Sequence, residues 1–386
     1  PLFVEAMNRQ KQGIDILKLN TGNPATFGFG LPDSIKSALM EHMQDGVGYC
    51  DFKGMPQARQ AICDYETSKG IKGITPDDVF IGNGVSEVVS FALTPLLNDG
   101  DEVLVPSPSY SLWGNSVYLE DGKPVFYTCD EQANWYPDIQ DIRSKITDKT
   151  KAIVIINPNN PTGVLYPKEL LLEIIQIARE SGLLIFADEI YDRLVMDGKQ
   201  HISLASLTED VPVITLNGLS KSHCLCGYRC GWMVISGPRE LTEDYRQGII
   251  QLTSLRLCAN TMAQIVIPAA LDDMETPASM VRPGGRIYEQ REATVRELEK
   301  IDGLSFVKND AAFYVFPKLD VKKFNITNDK QFAHDLLDVT NILLVPGSGF
   351  DWKDPDHFRI VMLPQADILS DAIRRMGTFL DGYKQK

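Results

Sequence analysis

The sequence predicts an α/β protein, with a mostly parallel sheet covered on both faces and a smaller α+β unit beside it. Three observations lead there. Short apolar runs alternate with helical patterns through the middle of the chain. Those runs are apolar along their whole length, as strands buried on both faces are. After about residue 260 the texture changes to charged amphipathic helices and short paired-strand patterns.

In order, "DDVFIG" reads as a strand and "SEVVSFALTPLL" as the helix that follows it. "DEVLVP" and "KAIVIIN" are the next strands, then the helix "KELLLEIIQIARES" and the strands "LLIFAD" and "VPVITLN". In the C-terminal part, "GRIYEQREATVRELEKI" is an amphipathic helix and "GLSFVKNDAAFYVFPKL" a pair of strands. "NILLVPGSGF", "HFRIVML" and a terminal helix complete it. There is no internal repeat and no low-complexity linker.

A chain of 386 residues, 44% hydrophobic and 23% charged, has ordinary globular composition and room for a large core. Its net charge of −14 repels phosphate backbones, which argues against nucleic acid as a partner. Any bound anion must then be held by a local device. No apolar run approaches the roughly 18 residues of a membrane span, and no stretch reads as a targeting signal, although residues are expected to precede Pro1. Seven scattered cysteines fit free thiols in a reducing cytoplasm, so a cytoplasmic location is expected. Cys224, Cys226 and Cys230 lack the second ligand pair of a zinc site, and the five histidines form no metal motif.

In an open parallel sheet, ligands gather at the carboxyl ends of the strands, so the loops just after the strands matter most. After "DDVFI" comes "GNGVSE", opening a helix. Its glycines let the backbone approach an anion and the helix start offers free N–H groups, or else it is a plain turn with Ser86 as the helix cap. The third glycine of a dinucleotide fingerprint and the G-K-[ST] of a P-loop are both missing. After "KAIVII" comes the stiff loop "NPNNPTG", where Asn160 offers an amide. "LLIFA" ends on Asp188, a helix cap or a functional carboxylate, with Tyr191 three residues on. "VPVITLN" leads to Ser220 and Lys221, with Arg229 beyond, and Tyr110 follows "EVLVP".

Phosphate-type N–H donors, an amide, a lone carboxylate, an aromatic, a lysine and an arginine thus fall on the strand ends of one sheet. That set suits pyridoxal 5′-phosphate. Lys221 would form the Schiff base, Asp188 would pair with the ring nitrogen, and Asn160 and Tyr191 would hydrogen-bond the ring oxygen. Tyr110 would stack on the ring, while the glycine turn and Arg229 would hold the phosphate.

"NPNNPTG", "DEIYD" and "GLSK" followed by "GYR" resemble, in order and spacing, the signature of fold type I pyridoxal-phosphate aminotransferases. More narrowly, "LKLNTGNP", "GYCDFKG", "IGNGVSE", "IFADEIYD", "SLRLCAN", "PGGRIYEQR" and "HFRIV" resemble bacterial alanine–glutamate (glutamate–pyruvate) aminotransferases over nearly the whole chain. The resemblance implies a seven-stranded sheet in a large domain, residues 31–278, with residues 1–30 and 279–386 forming the small one. It implies phosphate binding by Gly84, Val85, Ser86, Ser220 and Arg229, and a homodimer in which Tyr49 reaches the neighbour's phosphate. Arg359, helped by the Gly22 backbone and Asn160, would clamp the substrate α-carboxylate. Arg256 is either the cation for a distal carboxylate, reached across the dimer, or a structural arginine paired with a nearby acid.

The implied reaction is two-stage amino transfer, from alanine to 2-oxoglutarate, giving pyruvate and glutamate. Aromatic or aspartate-type transamination and C–S bond elimination are the alternatives on the same lysine and aspartate. A cofactor-sensing regulator would need a fused basic DNA-binding domain, and the sequence shows none. Two departures stand out: His223 and Cys224 replace the tyrosine–arginine pair of these relatives, and "ANTMAQ" replaces "AN-x-PAQ".

Overall fold

A computed structural model describes residues 1–386. Seven strands make the central sheet: β1 (Val79–Asn83), β2 (Glu102–Ser107), β3 (Lys123–Asp130), β4 (Thr150–Ile156), β5 (Leu184–Asp188), β6 (Val213–Gly218) and β7 (Cys230–Ser236). Their spatial order is β1-β7-β6-β5-β4-β2-β3. A two-residue piece, Tyr136–Pro137, adds an eighth strand antiparallel to the end of β3, so the sheet is one short strand wider than the seven expected. Strands β3, β2, β4, β5 and β6 are mutually parallel. Strand β7 runs antiparallel to both β6 and β1. The carboxyl end of β1 and the amino end of β7 therefore lie on the same edge as the carboxyl ends of the parallel set.

Side chains alternate across the pleat and feed two cores. Ile153, Ile155 and Ile185 pack on one face against Leu171, Ile174 and Ile175 of the helix Lys168–Ser181. Val154, Ile156 and Phe186 pack on the other against Val88 and Val89 of the helix Val85–Leu93 and against Trp113 and Ile249. Each fully buried aliphatic or aromatic side chain contributes about 1.5–3 kcal/mol, so both faces need cover and the strands read as unbroken apolar runs.

The C-terminal part has its own core, built from Phe332, Leu336, Phe358, Ile360, Ile373 and their neighbours. Its strand Phe358–Val361 is flanked by the antiparallel pieces Tyr314–Val315 and Val345–Pro346. The N-terminal strand Leu17–Lys18 pairs in parallel with Ile342–Leu343, which brings the start of the chain to this core. No single helix is long and apolar enough to cross a membrane. All seven cysteines are free.

Candidate functional site

A cleft of about 360 Å³ opens at the strand ends of the central sheet, against the C-terminal part. Eleven of the fourteen residues singled out from the sequence line it: Gly22, Val85, Ser86, Tyr110, Asn160, Asp188, Tyr191, Ser220, Lys221, Arg229 and Arg359. The topology explains the convergence. Asp188 ends β5, Ser220 and Lys221 follow β6, and Arg229 precedes the reversed β7.

Gly84 does not line the cleft but shapes it. Its φ is +83°, and a Cβ there would lie 2.3 Å from Arg229 Nη2. The guanidinium thus rests against bare backbone at the start of the helix Val85–Leu93. Gly84 is itself the helix cap, and no side chain caps the end, so Ser86 does not fill that role. Ser86 sits in the first turn, where the backbone N–H groups of a helix lack internal partners.

Asp188 is buried, 4% exposed. Its Oδ2 accepts from Trp113 Nε1 at 3.1 Å and its Oδ1 from Ile190 N at 3.4 Å. No helix follows it, so the capping alternative fails. Burial raises its pKa to about 6, because no cation stands beside it to offset the lost hydration. Behind it, Glu189, Asp192 and His201 bring their ligand atoms within 4.8 Å of one another. Lys69 Nζ already fills that place, 2.8 Å from Glu189 and 3.2 Å from Asp192, so an ammonium group supplies the cation there.

Lys221 Nζ donates to the Gly22 carbonyl at 2.8 Å. Arg359 Nη1 donates to Asn160 Oδ1 at 2.9 Å, and its guanidinium lies 4.6 Å from the ring centres of both Tyr314 and Phe350. Burial pulls the Arg359 pKa below its ordinary value, and its Nε has no partner at all. Arg229 donates only to the Cys226 carbonyl, at 3.0 Å. Lys221, Arg229 and Arg359 thus face one cleft with no acidic side chain bonded to any of them. In a chain of net charge −14 this is a prepared site for anions.

Two of the fourteen residues lie elsewhere. Tyr49 is 83% exposed on the surface. Arg256 pairs with Glu87 Oε2 at 2.5 Å and donates to the carbonyls of Phe52 and Ile81, outside the cleft of its own chain. His223 is fully buried, and burial pushes its pKa down to about 4, so it is neutral at pH 7 and adds no cation near Lys221. Asn20, Thr21, Ile190 and Tyr314 also line the cleft and were not singled out from the sequence, and Cys226, weighed there only as a zinc ligand, lines it too. Tyr314 sits inside an apolar strand pattern, "AAFYVF", where an aromatic reads as core.

Comparison with known proteins matches residues 14–373 to the family described as aminotransferase class I and II. The chain is 51% identical to a glutamate–pyruvate aminotransferase of Haemophilus influenzae over 385 residues, covering 100% of this chain and 95% of that one. It is 46% identical to an alanine aminotransferase of Mycobacterium tuberculosis, covering 100% and 90%. Among solved structures, an Escherichia coli aminotransferase superposes with a TM-score of 0.98 at 47% identity, covering 100% and 96%. An alanine aminotransferase from Pyrococcus furiosus gives 0.94 at 41% identity, covering 98% and 96%.

Proposed function

We propose, given that this chain belongs to the class I and II aminotransferases and so uses pyridoxal 5′-phosphate, that its cleft moves the amino group of alanine to 2-oxoglutarate, giving pyruvate and glutamate. The observation that carries the site is the trio of cations without counter-charges in one cleft with a buried carboxylate, and the substrate pair is supported by the likeness to glutamate–pyruvate and alanine aminotransferases. Two arginines in that cleft allow one to serve a phosphate and the other an α-carboxylate.

The residues fit the cofactor. Arg229, Ser220, Ser86 and the backbone at Gly84 and Val85 would hold its phosphate, where any side chain at position 84 would push the guanidinium away. Asp188 would face the ring nitrogen, gaining the cation whose lack now raises its pKa. Asn160 and Tyr191 would meet the ring oxygen, and Tyr110 the ring face. When bound, the cofactor supplies an aldehyde carbon that takes up the amino group and a ring that withdraws electrons from the substrate Cα.

The chain's own residues do the rest. Arg359 fixes the substrate α-carboxylate by a two-pronged pair, oriented by Asn160 Oδ1. Lys221 is the covalent anchor. With the cofactor bound and its bond to Lys221 exchanged for the substrate amine, the freed Nζ would be the base placed to take the proton from the substrate Cα. The Gly22 carbonyl, 2.8 Å from that Nζ, holds it on this side of the cleft.

The working form in this reading is a homodimer in the cytoplasm. Tyr49 and Val47, 83% and 76% exposed, are large apolar side chains on one surface segment, as an interface would use. Tyr49 would then serve the partner's phosphate. Arg256, the candidate for a distal carboxylate, is engaged by Glu87, which favours a structural role. A panel of amino donors against pyruvate and against 2-oxoglutarate tests the substrate pair. Alanine and glutamate should lead, and turnover of a thioether amino acid to pyruvate would favour elimination instead.

A further inference from the structure

We propose that Tyr314 is a positioning residue whose hydroxyl donates to Tyr191, so that Tyr191 grips the cofactor's ring oxygen more tightly and the nitrogen linking Lys221 to the cofactor holds its proton less tightly. This rests on the cofactor reading above.

The two phenol oxygens are 2.8 Å apart. Both tyrosines are almost fully buried and both line the cleft. Their rings meet edge-on at 84°, with centres 5.6 Å apart, and Phe313 packs against both. Neither ring can turn aside without opening a core of eleven buried residues. Gly22 completes the fit: a Cβ there would lie 2.2 Å from the Tyr314 oxygen, so the hydroxyl fills the space that glycine leaves. The same Gly22 accepts from Lys221 Nζ through its carbonyl. Arg359, stacked 4.6 Å from the Tyr314 ring centre, holds the other side.

Proton counting sets the direction of the chain. Each phenol carries one proton. With the cofactor bound, its anionic ring oxygen would be the strongest acceptor offered to Tyr191, which would spend its proton there. The Tyr191 oxygen then has only lone pairs to offer Tyr314, and the Tyr314 hydroxyl has no other hydrogen-bond partner. Tyr314 must therefore donate to Tyr191, and Tyr191 to the ring. Hydrogen bonds in such a relay polarise one another, so the second is stronger than it would be alone. A better-held ring oxygen shares less of the proton on the neighbouring nitrogen.

The charged and titratable groups facing Tyr191 are Tyr314, Arg359 and Asp188. Only Tyr314 hydrogen-bonds its hydroxyl, so removing that oxygen isolates the effect.

The experiment follows the visible absorbance of the holoenzyme with pH in wild type, Tyr314→Phe, Tyr191→Phe and the double variant. Tyr314→Phe should raise the midpoint by roughly half to one pH unit, the scale of one hydrogen bond. Tyr191→Phe should raise it further, and the double variant should match Tyr191→Phe alone. An unchanged midpoint in Tyr314→Phe, or the same added shift in the Tyr191→Phe background, would overturn the inference. If the wild type shows no pH-dependent band that Lys221→Ala abolishes, the cofactor reading fails and takes the inference with it.

Discussion

Arg359 Nη1 sits 2.9 Å from Asn160 Oδ1, a neutral acceptor, and no carboxylate neutralises this buried guanidinium. A buried charge without a partner is costly unless a ligand supplies one. The α-carboxylate common to amino acids and 2-oxo acids would supply that partner. Arg359→Lys keeps the charge and loses the planar fork. It should lower kcat/KM by about 10- to 150-fold, the equivalent of about 1.5–3 kcal/mol for charge-assisted hydrogen bonds, and by a similar factor for alanine and glutamate. Steady-state kinetics with both substrates checks this.

Asp188 gives a pH-dependent prediction for the cofactor-free protein. Its pKa rises from 3.8 to about 6 on folding, so the folded chain binds the proton more tightly than the unfolded chain. The stability this provides is full below pH 4 and is lost as pH rises through about 6, to the extent of about 3 kcal/mol. Asp188→Asn keeps an oxygen to accept from Trp113 and does not titrate. The cofactor-free variant should melt above the wild type at pH 7 and level with it near pH 4, while the loaded variant should lose most of its activity. Thermal melts at the two pH values, with and without cofactor, decide it.

Gly84→Ala should loosen the cofactor. The added methyl would meet Arg229 Nη2 at 2.3 Å, at a φ of +83° that alanine resists. Displacing that guanidinium costs one charge-assisted hydrogen bond or more, so the Kd for the cofactor should rise by about tenfold or more. A titration of cofactor-free protein by absorbance would show it, and unaltered affinity would remove Arg229 from the phosphate site.

Arg256 separates two roles. Its pairing with Glu87 predicts that Arg256→Gln and Glu87→Gln each lower stability, and that together they cost less than the sum. The ratio of glutamate to alanine kcat/KM should stay about the same. A selective loss of glutamate activity of about tenfold or more would instead mean that Arg256 serves a distal carboxylate in the partner's cleft.

Much of this was legible in the sequence for a physical reason. Strands buried on both faces must be apolar throughout, so β1, β2, β4, β5 and β6 stand out as unbroken runs, and the loops after them draw the eye. Strands β3 and β7 do not. Buried and exposed residues mix along β3, "KPVFYTCD", near the edge of the sheet. Strand β7 starts in the Cys/Gly stretch "CGW", which reads as a loop until its pairing with β1 and β6 is seen. The cleft was readable wherever polar residues close or follow apolar strands, as at Asp188 and Lys221. Tyr314 was not, because its polar atom rides on a side chain that looks like core and meets Tyr191, 123 positions away, only through folding. Arg256 had two readings, and only the folded positions of Glu87, Phe52 and Ile81 bear on them.

Borohydride reduction of the loaded enzyme, followed by peptide mass spectrometry, tests the covalent anchor most directly. A phosphopyridoxyl group should be fixed on the peptide containing Lys221 and be missing from Lys221→Ala, which should also lack turnover. An adduct on a different lysine, or wild-type turnover in Lys221→Ala, would contradict it.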